Sequence, residues 1–207
     1  MAHLCAMNDS IRVALGACLE AGRAILDIYS REDVGVEFKD DKSPLTQADR
    51  TAHEILMRHL EATGIPVLSE EGKHLPFESR QKWEALWIVD PVDGTKEFIK
   101  RNGEFTVNVA LVRHGEVECG VVLAPVLGHA YVGHVGEGAW RLEASMSENE
   151  SAEDAWRTRK DLPLDGSEGR PFTIVASRSH MSPETEAYVE EARAEHGRIE
   201  LISKGSS

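Results

Sequence analysis

Apolar residues recur at Ile11, Ala14, Leu15, Cys18, Gly22, Ile25, Leu26 and Tyr29, the three-four spacing of one helical face, with Asp9 or Ser10 standing where an N-cap belongs. A helix is therefore expected over roughly 10–30. The pattern then shortens to the strand-like VGVEFK (34–39), a polar loop, and a second helical stretch that carries Ile55, Leu56 and Leu60, holds Asp49 near its start and stops at Gly64. Two brief apolar runs follow, IPVLSEEG (65–72) and ALWIVD (85–90), and both deliver acid at their C-terminal ends. Alternation in FTVNVALV, the turn RHGE, then VECGVVLAP and HAYVGHVGEGAW predict antiparallel hairpin strands with glycine-bearing turns. From 143 to 170 the chain is polar, acidic and without apolar period, so a surface loop or linker is expected there. PFTIVASRSH resumes as a strand, Ser182, Pro183 and Gly197 bracket a helix, and RIELIS is another strand. The expected organisation is an α+β domain over 1–145, a linker over 146–170 and the start of an α/β domain over 171–207.

Composition bounds the function. The 207 residues are 41% hydrophobic, enough for a sizeable core, and 36 acidic against 23 basic side chains give a formal net charge of −13. That charge disfavours binding to nucleic acid polymers or anionic membrane, and an anionic substrate would need bound cations or a local basic patch. Three scattered cysteines, Cys5, Cys18 and Cys119, offer neither metal-ligand spacing nor a disulfide framework, and no stretch approaches the ~20 apolar residues of a membrane span. A cytoplasmic protein without an integral membrane segment is expected, with peripheral association with the inner face of the membrane left open. The nine histidines have no HxxxH or HxH pairing, and the four tryptophans read as packing rather than base stacking.

The segment WIVDPVDGTKEF (87–98) carries the chemistry. Asp-Gly favours a turn and Pro91 fixes φ, so DPVDGT by itself can be a strand-to-helix turn. Glu70 and Glu71 also end an apolar strand, and if the two strands are neighbours these acids converge on Asp90 and Asp93. Converging carboxylates repel unless a cation sits between them, and an all-oxygen donor set favours Mg²⁺ over zinc. Pro91 then stiffens the turn, Val92 can aim its carbonyl inward, and Gly94 permits close backbone approach. Thr95 opens TKEFIK, a helix start whose free N–H groups and dipole suit a phosphate. Such a pairing implies phosphoryl hydrolysis by metal-activated water.

LTQAD, LSEEG, WIVDPVDGTKEF and KRNGEFTVNVALV together resemble the lithium-sensitive, Mg²⁺-dependent phosphatases of the inositol monophosphatase superfamily, most closely its CysQ-type 3'(2'),5'-bisphosphate nucleotidase branch. DGTKEF followed by KRNGEFTVN points to that branch, since inositol monophosphatases usually carry Thr-Asn-Phe after the Gly-Thr. The resemblance implies a layered α/β (α+β) sandwich of alternating helix and sheet layers, its second half incomplete here. It implies that Glu70, Asp90 and the Val92 carbonyl hold one Mg²⁺, that Asp90 and Asp93 contribute to a second, and that Glu70 and Asp49 border a third, weaker ion. Thr95, oriented by Asp49 or Glu70, would help deprotonate the attacking water, while the Gly94 and Thr95 amides hold the phosphate. Lys96 is either a substrate contact or a solvated helix lysine; Ser177, Arg178, Ser179, His180, Lys204, Gly205 and Ser206 match segments that border the nucleotide. Glu71 can equally be a capping acid, and Asp49 an ordinary acid at a helix start. The family's later Trp-Asp-x-Ala-Ala segment, whose aspartate completes the second metal site, has no counterpart before the SKGSS end, so a fragment or truncated relative is expected. The implied activity is removal of the 3'-phosphate from adenosine 3',5'-bisphosphate; the alternatives are an inositol or sugar monophosphatase, or a non-catalytic remnant that binds phosphorylated ligands.

Overall fold

The computed structural model describes residues 7–33, 35–38, 44–73, 75–164, 171–177 and 182–204, in two units, Met1–Pro163 and Leu164–Ser207. The first helix, α1 (Asp9–Tyr29), is capped by Asn8 rather than by Asp9 or Ser10: the Asn8 side chain accepts from the Ser10 amide at 2.8 Å. Most of the expected stripe is buried, but so are Ala17, Leu19, Ala21 and Ile28. The reason is enclosure. Helix α1 touches α2 (Gln47–Glu61), α5 (Ala152–Arg157) and strands β5 (Thr106–Arg113) and β6 (Glu116–Ala124), and a helix held on several sides buries more than one narrow face. At Gly22 the approach is closest, since a Cβ there would lie 2.6 Å from Leu123 Cδ2.

Seven strands form the main sheet in the order β3 (Val67–Ser69), β4 (Ala85–Asp93), β5, β6, β7 (His129–His134), β8 (Gly138–Glu143) and β9 (Lys160–Asp161). Within this sheet β3 and β4 pair in parallel and the other described neighbours antiparallel. Helices α1 and α2 cover one face, and the alternation of the strands follows: Trp87, Val89, Val107, Val109, Leu111, Val121 and Leu123 are buried, while Ile88 and Val122 on the other face are exposed. The RHGE turn is a two-residue hairpin in which His114 and Gly115 both take positive φ, 51° and 83°, with Arg113 paired to Glu116. Of the strand expected over 34–39, β1 (Glu37–Phe38) is present and pairs with β2 (Pro44–Leu45); α3 (Phe77–Arg80) is a further short helix.

The described part of the stretch expected as a linker, up to residue 164, is structured. Ser151 and Asp154 form a capping box at the start of α5, burying Ala152, Ala155 and Trp156, and β9 adds the last strand to the sheet. Its apolar positions are too few to register as a period, but Trp156 meets Trp140 edge-on with ring centroids 5.1 Å apart. The division falls at Pro163/Leu164, inside the stretch expected to hold the boundary but near its C-terminal end, because α5 and β9 belong to the first unit. In the second unit β10 (Phe172–Ser177) and β11 (Ile199–Lys204) pair in parallel around α6 (Pro183–His196), with Ser182 as N-cap and Gly197 at the C-cap, the strand–helix–strand order read from the sequence.

Replacing Trp156 by Ala is expected to cost about 3–5 kcal/mol of stability, the scale of a large core truncation. A change within about 0.5 kcal/mol in a denaturant melt, as for a surface linker, would contradict the placement of α5.

Candidate active site

Two strand ends bring the acids together. Because β3 and β4 run in parallel with Ser69 opposite Val89, the next residue of each strand, Glu70 and Asp90, emerges at the same edge, and the Glu70 amide donates to the Val89 carbonyl at 3.0 Å. Glu70 and Glu71 sit at the corners of a turn that the Gly72 amide closes on the Ser69 carbonyl at 3.0 Å. Asp93 reaches the same place by a register shift. Asp90 pairs with Asn108 but Asp93 pairs with Thr106, so β4 spends three steps where β5 spends two. In a regular strand residues three apart point to opposite faces, and the extra residue of this bulge returns Asp93 to the side of Asp90. The strand accordingly runs on through Pro91 and Val92, both buried, to Asp93.

The electrostatics record the crowding. Asp90 is pushed up to about 7, first by burial, then by the charges of Glu70 and Asp93 and by a hydrogen bond shared with Glu70, against which the Val92 amide donating to Asp90 Oδ1 at 3.2 Å works in the other direction. Asp93 is raised by burial and by Glu70, and Asn108 Nδ2, donating to Asp93 Oδ2 at 3.0 Å, opposes the shift.

Asp49 enters from α2. It is only 1% exposed, because Thr46 and Asp49 close a capping box: the Thr46 amide and hydroxyl donate to Asp49 Oδ2 at 2.7 and 2.5 Å. The other oxygen, Oδ1, accepts from Thr95 Oγ1 at 3.1 Å, and the same hydroxyl lies 3.2 Å from the Val92 carbonyl. Burial raises Asp49, and its bonds from Thr46 and Thr95 lower it by less. Asp49 is thus a helix cap whose second oxygen reaches Thr95 at the candidate site.

Gly94 makes the corner into α4 (Thr95–Ile99). Its φ of 95° is left-handed, and a Cβ there would stand 2.9 Å from the Glu104 carbonyl, so both conformation and space demand glycine. The Gly94 carbonyl accepts from the Glu97 and Phe98 amides, both at 2.9 Å, which leaves the Thr95 and Lys96 N–H groups ahead of the first helical bond. With five residues α4 has little macrodipole; individual amides are what it offers an anion.

Glu70, Asp90, Val92, Asp93, Asp49, Gly94 and Thr95 therefore gather at one edge of the sheet, with Lys96 exposed on α4. Ser177 and Lys204 are register partners at the ends of β10 and β11 in the other unit; Arg178, Ser179, His180, Gly205 and Ser206 lie outside the described residues. Sequence reasoning missed Asn108 and Thr46. The signal for Asn108 was a poor strand former inside the β-branched run TVNVAL; that for Thr46 was its place three residues before Asp49. Among the described residues no three His, Cys, Asp or Glu side chains already stand arranged to hold a metal ion. The donor set nevertheless fits a hard divalent cation. Three carboxylates and a carbonyl are all oxygen, Asp90 and Asp93 both feel the negative charge of Glu70, and the buried Asn108 Oδ1 has no hydrogen-bond partner.

The chain is 42% identical over 190 residues, 90% of its own length and 69% of the relative's, to the 3'(2'),5'-bisphosphate nucleotidase CysQ of Shigella flexneri, and 41% identical over 190 residues to that of Escherichia coli K12, with the same coverage. Its fold superposes on the crystal structure of CysQ from Bacteroides thetaiotaomicron with a TM-score of 0.83 at 44% identity, covering 97% of this chain and 74% of that one. The suhB protein of Bartonella henselae shares the fold at 22% identity and a TM-score of 0.71, over 96% and 71% of the two chains. The inositol monophosphatase family model matches residues 7–205, and the chain belongs to that family.

Proposed function

We propose that the protein is a Mg²⁺-dependent phosphomonoesterase that cleaves the 3'-phosphate of adenosine 3',5'-bisphosphate, giving AMP and inorganic phosphate. The observation that carries the reading is the meeting of Glu70, Asp90 and Asp93 at one sheet edge beside Thr95 and Asp49, in a chain whose relatives named above are bisphosphate nucleotidases. Glu70, Asp90 and the Val92 carbonyl would hold one cation, and Asp90 with Asp93 would contribute to a second. Bound there, the ions would supply charge neutralisation for a polyanionic substrate and a more acidic water. The chain's own groups do the rest. Asp49, buried and raised above an ordinary carboxylate, is a better proton acceptor than an exposed one, and Thr95 Oγ1 joins it to the reaction space. The Gly94 and Thr95 amides hold the phosphoryl oxygens, and Lys96 adds a nearby positive charge. A water oxygen bonds to phosphorus as the bond to the 3'-oxygen breaks, and that oxygen leaves protonated. No helix among the described residues is long and apolar enough to cross a membrane.

Phosphate release from a panel of adenosine 3',5'-bisphosphate, inositol phosphates and sugar phosphates tests the reading. The bisphosphate nucleotide should be preferred, turnover should need Mg²⁺ and fall with Li⁺, and Asp90→Asn should lower it by about two orders of magnitude or more. Preference for inositol phosphate would reassign the substrate, and binding without turnover would make the protein a ligand-binding relative.

Stability supplies a second test. Asp90 binds its proton more tightly folded than unfolded, so in chelator the folded state loses stability as pH rises through the window between 3.8 and about 7. Asp90→Asn cannot ionise. Its melting temperature should match wild type near pH 4, exceed it increasingly as pH rises to about 7, and keep that advantage at pH 8. A constant difference across that range would mean that Asp90 is not crowded by its neighbours.

A further inference from the structure

Asn108 sits on β5 directly opposite Asp90 and one strand away from Val122, on the face of the sheet that the helices leave uncovered. Its neighbours along that face, Ile88, Ala110 and Val122, are apolar, and Leu68, Glu70 and Asp90 line the same shallow depression of about 570 Å³. The amide has one clear partner. Nδ2 donates to Asp93 Oδ2 at 3.0 Å, and this choice fixes the flip of the side chain, because a carboxylate can only accept. The consequence falls on the other end of the amide: Oδ1 is buried and has no hydrogen-bond partner. A buried carbonyl oxygen without a donor destabilises the fold. An apolar side chain of the same size would suit Ile88, Ala110 and Val122 better. Stability alone would not select asparagine there.

What the amide does achieve is orientation. Asp93 arrives by a bulge, where the ladder is interrupted and the backbone holds the carboxylate less tightly than a regular register would. The hydrogen bond from Asn108 occupies Oδ2 and so restricts how the Asp93 carboxylate can turn, with Oδ1 outside that bond. We propose that Asn108 is a positioning residue: it pins the Asp93 carboxylate for cation binding, at the expense of leaving its own carbonyl oxygen unpaired. This inference rests on the cation site of the proposed function and assigns a task to a residue that the ligand set does not include.

The test separates site from scaffold. Asn108→Leu removes both the donor and the orphaned acceptor with little change in volume, and Asn108→Ala removes them without adding bulk. Mn²⁺ binding is measured on metal-free protein without substrate, by calorimetry or electron paramagnetic resonance, alongside the melting temperature in chelator. Loss of an outer partner that orients a ligand weakens metal binding by about 10–100-fold. We expect the dissociation constant of the Mn²⁺ that Asp93 holds to rise by about that factor in Asn108→Leu, while the melting temperature in chelator stays the same or increases. Asn108→Ser, which restores a short donor, should recover part of the affinity. Unchanged Mn²⁺ affinity in Leu and Ala variants that melt like wild type would overturn the proposal, as would a loss of affinity matched by an equal loss of stability in both. Should wild type itself bind no Mn²⁺, the cation site of the proposed function fails, and this inference with it; wild-type binding with unaffected variants removes only the role of Asn108.

Discussion

Repulsion between Glu70, Asp90 and Asp93 is the constraint around which this molecule is arranged. The parallel pairing of β3 with β4 and the bulge after Asp90 push like charges into a half-buried edge, and Asp90 responds by holding a proton up to about pH 7 and by bonding to Glu70. A fold selected only for stability would separate these groups, since each carboxylate moved to solvent would relieve burial and Coulomb terms together. The local sequence does the reverse: Gly94 accepts a left-handed corner that tucks Thr95 against Asp49, and Asn108 leaves a carbonyl oxygen unpaired to hold Asp93. Costs that accumulate at one place in an otherwise well-packed structure mark function.

The core makes those costs tolerable. Helix α2 buries Ala52, Leu56 and Leu60 against the sheet with the same face that carries Asp49 at its first turn, so packing the helix also delivers the acid. Trp87 and Val89 anchor β4 on its inner face just before the carboxylates begin at Asp90, and Phe98 and Phe105 lock the corner after Gly94, their rings 5.1 Å apart and both close to Tyr29 of α1. The site thus hangs from three buried elements. The N-terminal cap of α2 is itself part of it, since Thr46 and Thr95 bind opposite oxygens of one aspartate.

Much of this was legible in the sequence. The helix face from Ile11 to Tyr29, the hairpins and the strand–helix–strand unit follow from period and turn residues, and the convergence of Glu70 with Asp90 needed only the assumption that their strands are neighbours. Three features escaped for physical reasons. Asn8 caps α1 because its side chain, not that of Asp9 or Ser10, reaches the Ser10 amide, a distinction that spacing does not make. Helix α5 buries three residues in six, too short for a period to emerge from an acidic background. The bulge between Asp90 and Asp93 depends on pairing with β5, and Asn108, 15 residues away in sequence from the carboxylate it holds, becomes visible only through that pairing.

The most direct test of the carboxylate edge as a cation site is the anomalous scattering of Mn²⁺ in crystals grown with that ion. Density between Glu70, Asp90 and the Val92 carbonyl, with a second peak against Asp90 and Asp93 and the Asp90–Glu70 hydrogen bond opened, is the result the structure predicts. Crystals that hold Mn²⁺ elsewhere or nowhere, with Asp90 still bonded to Glu70, would contradict it.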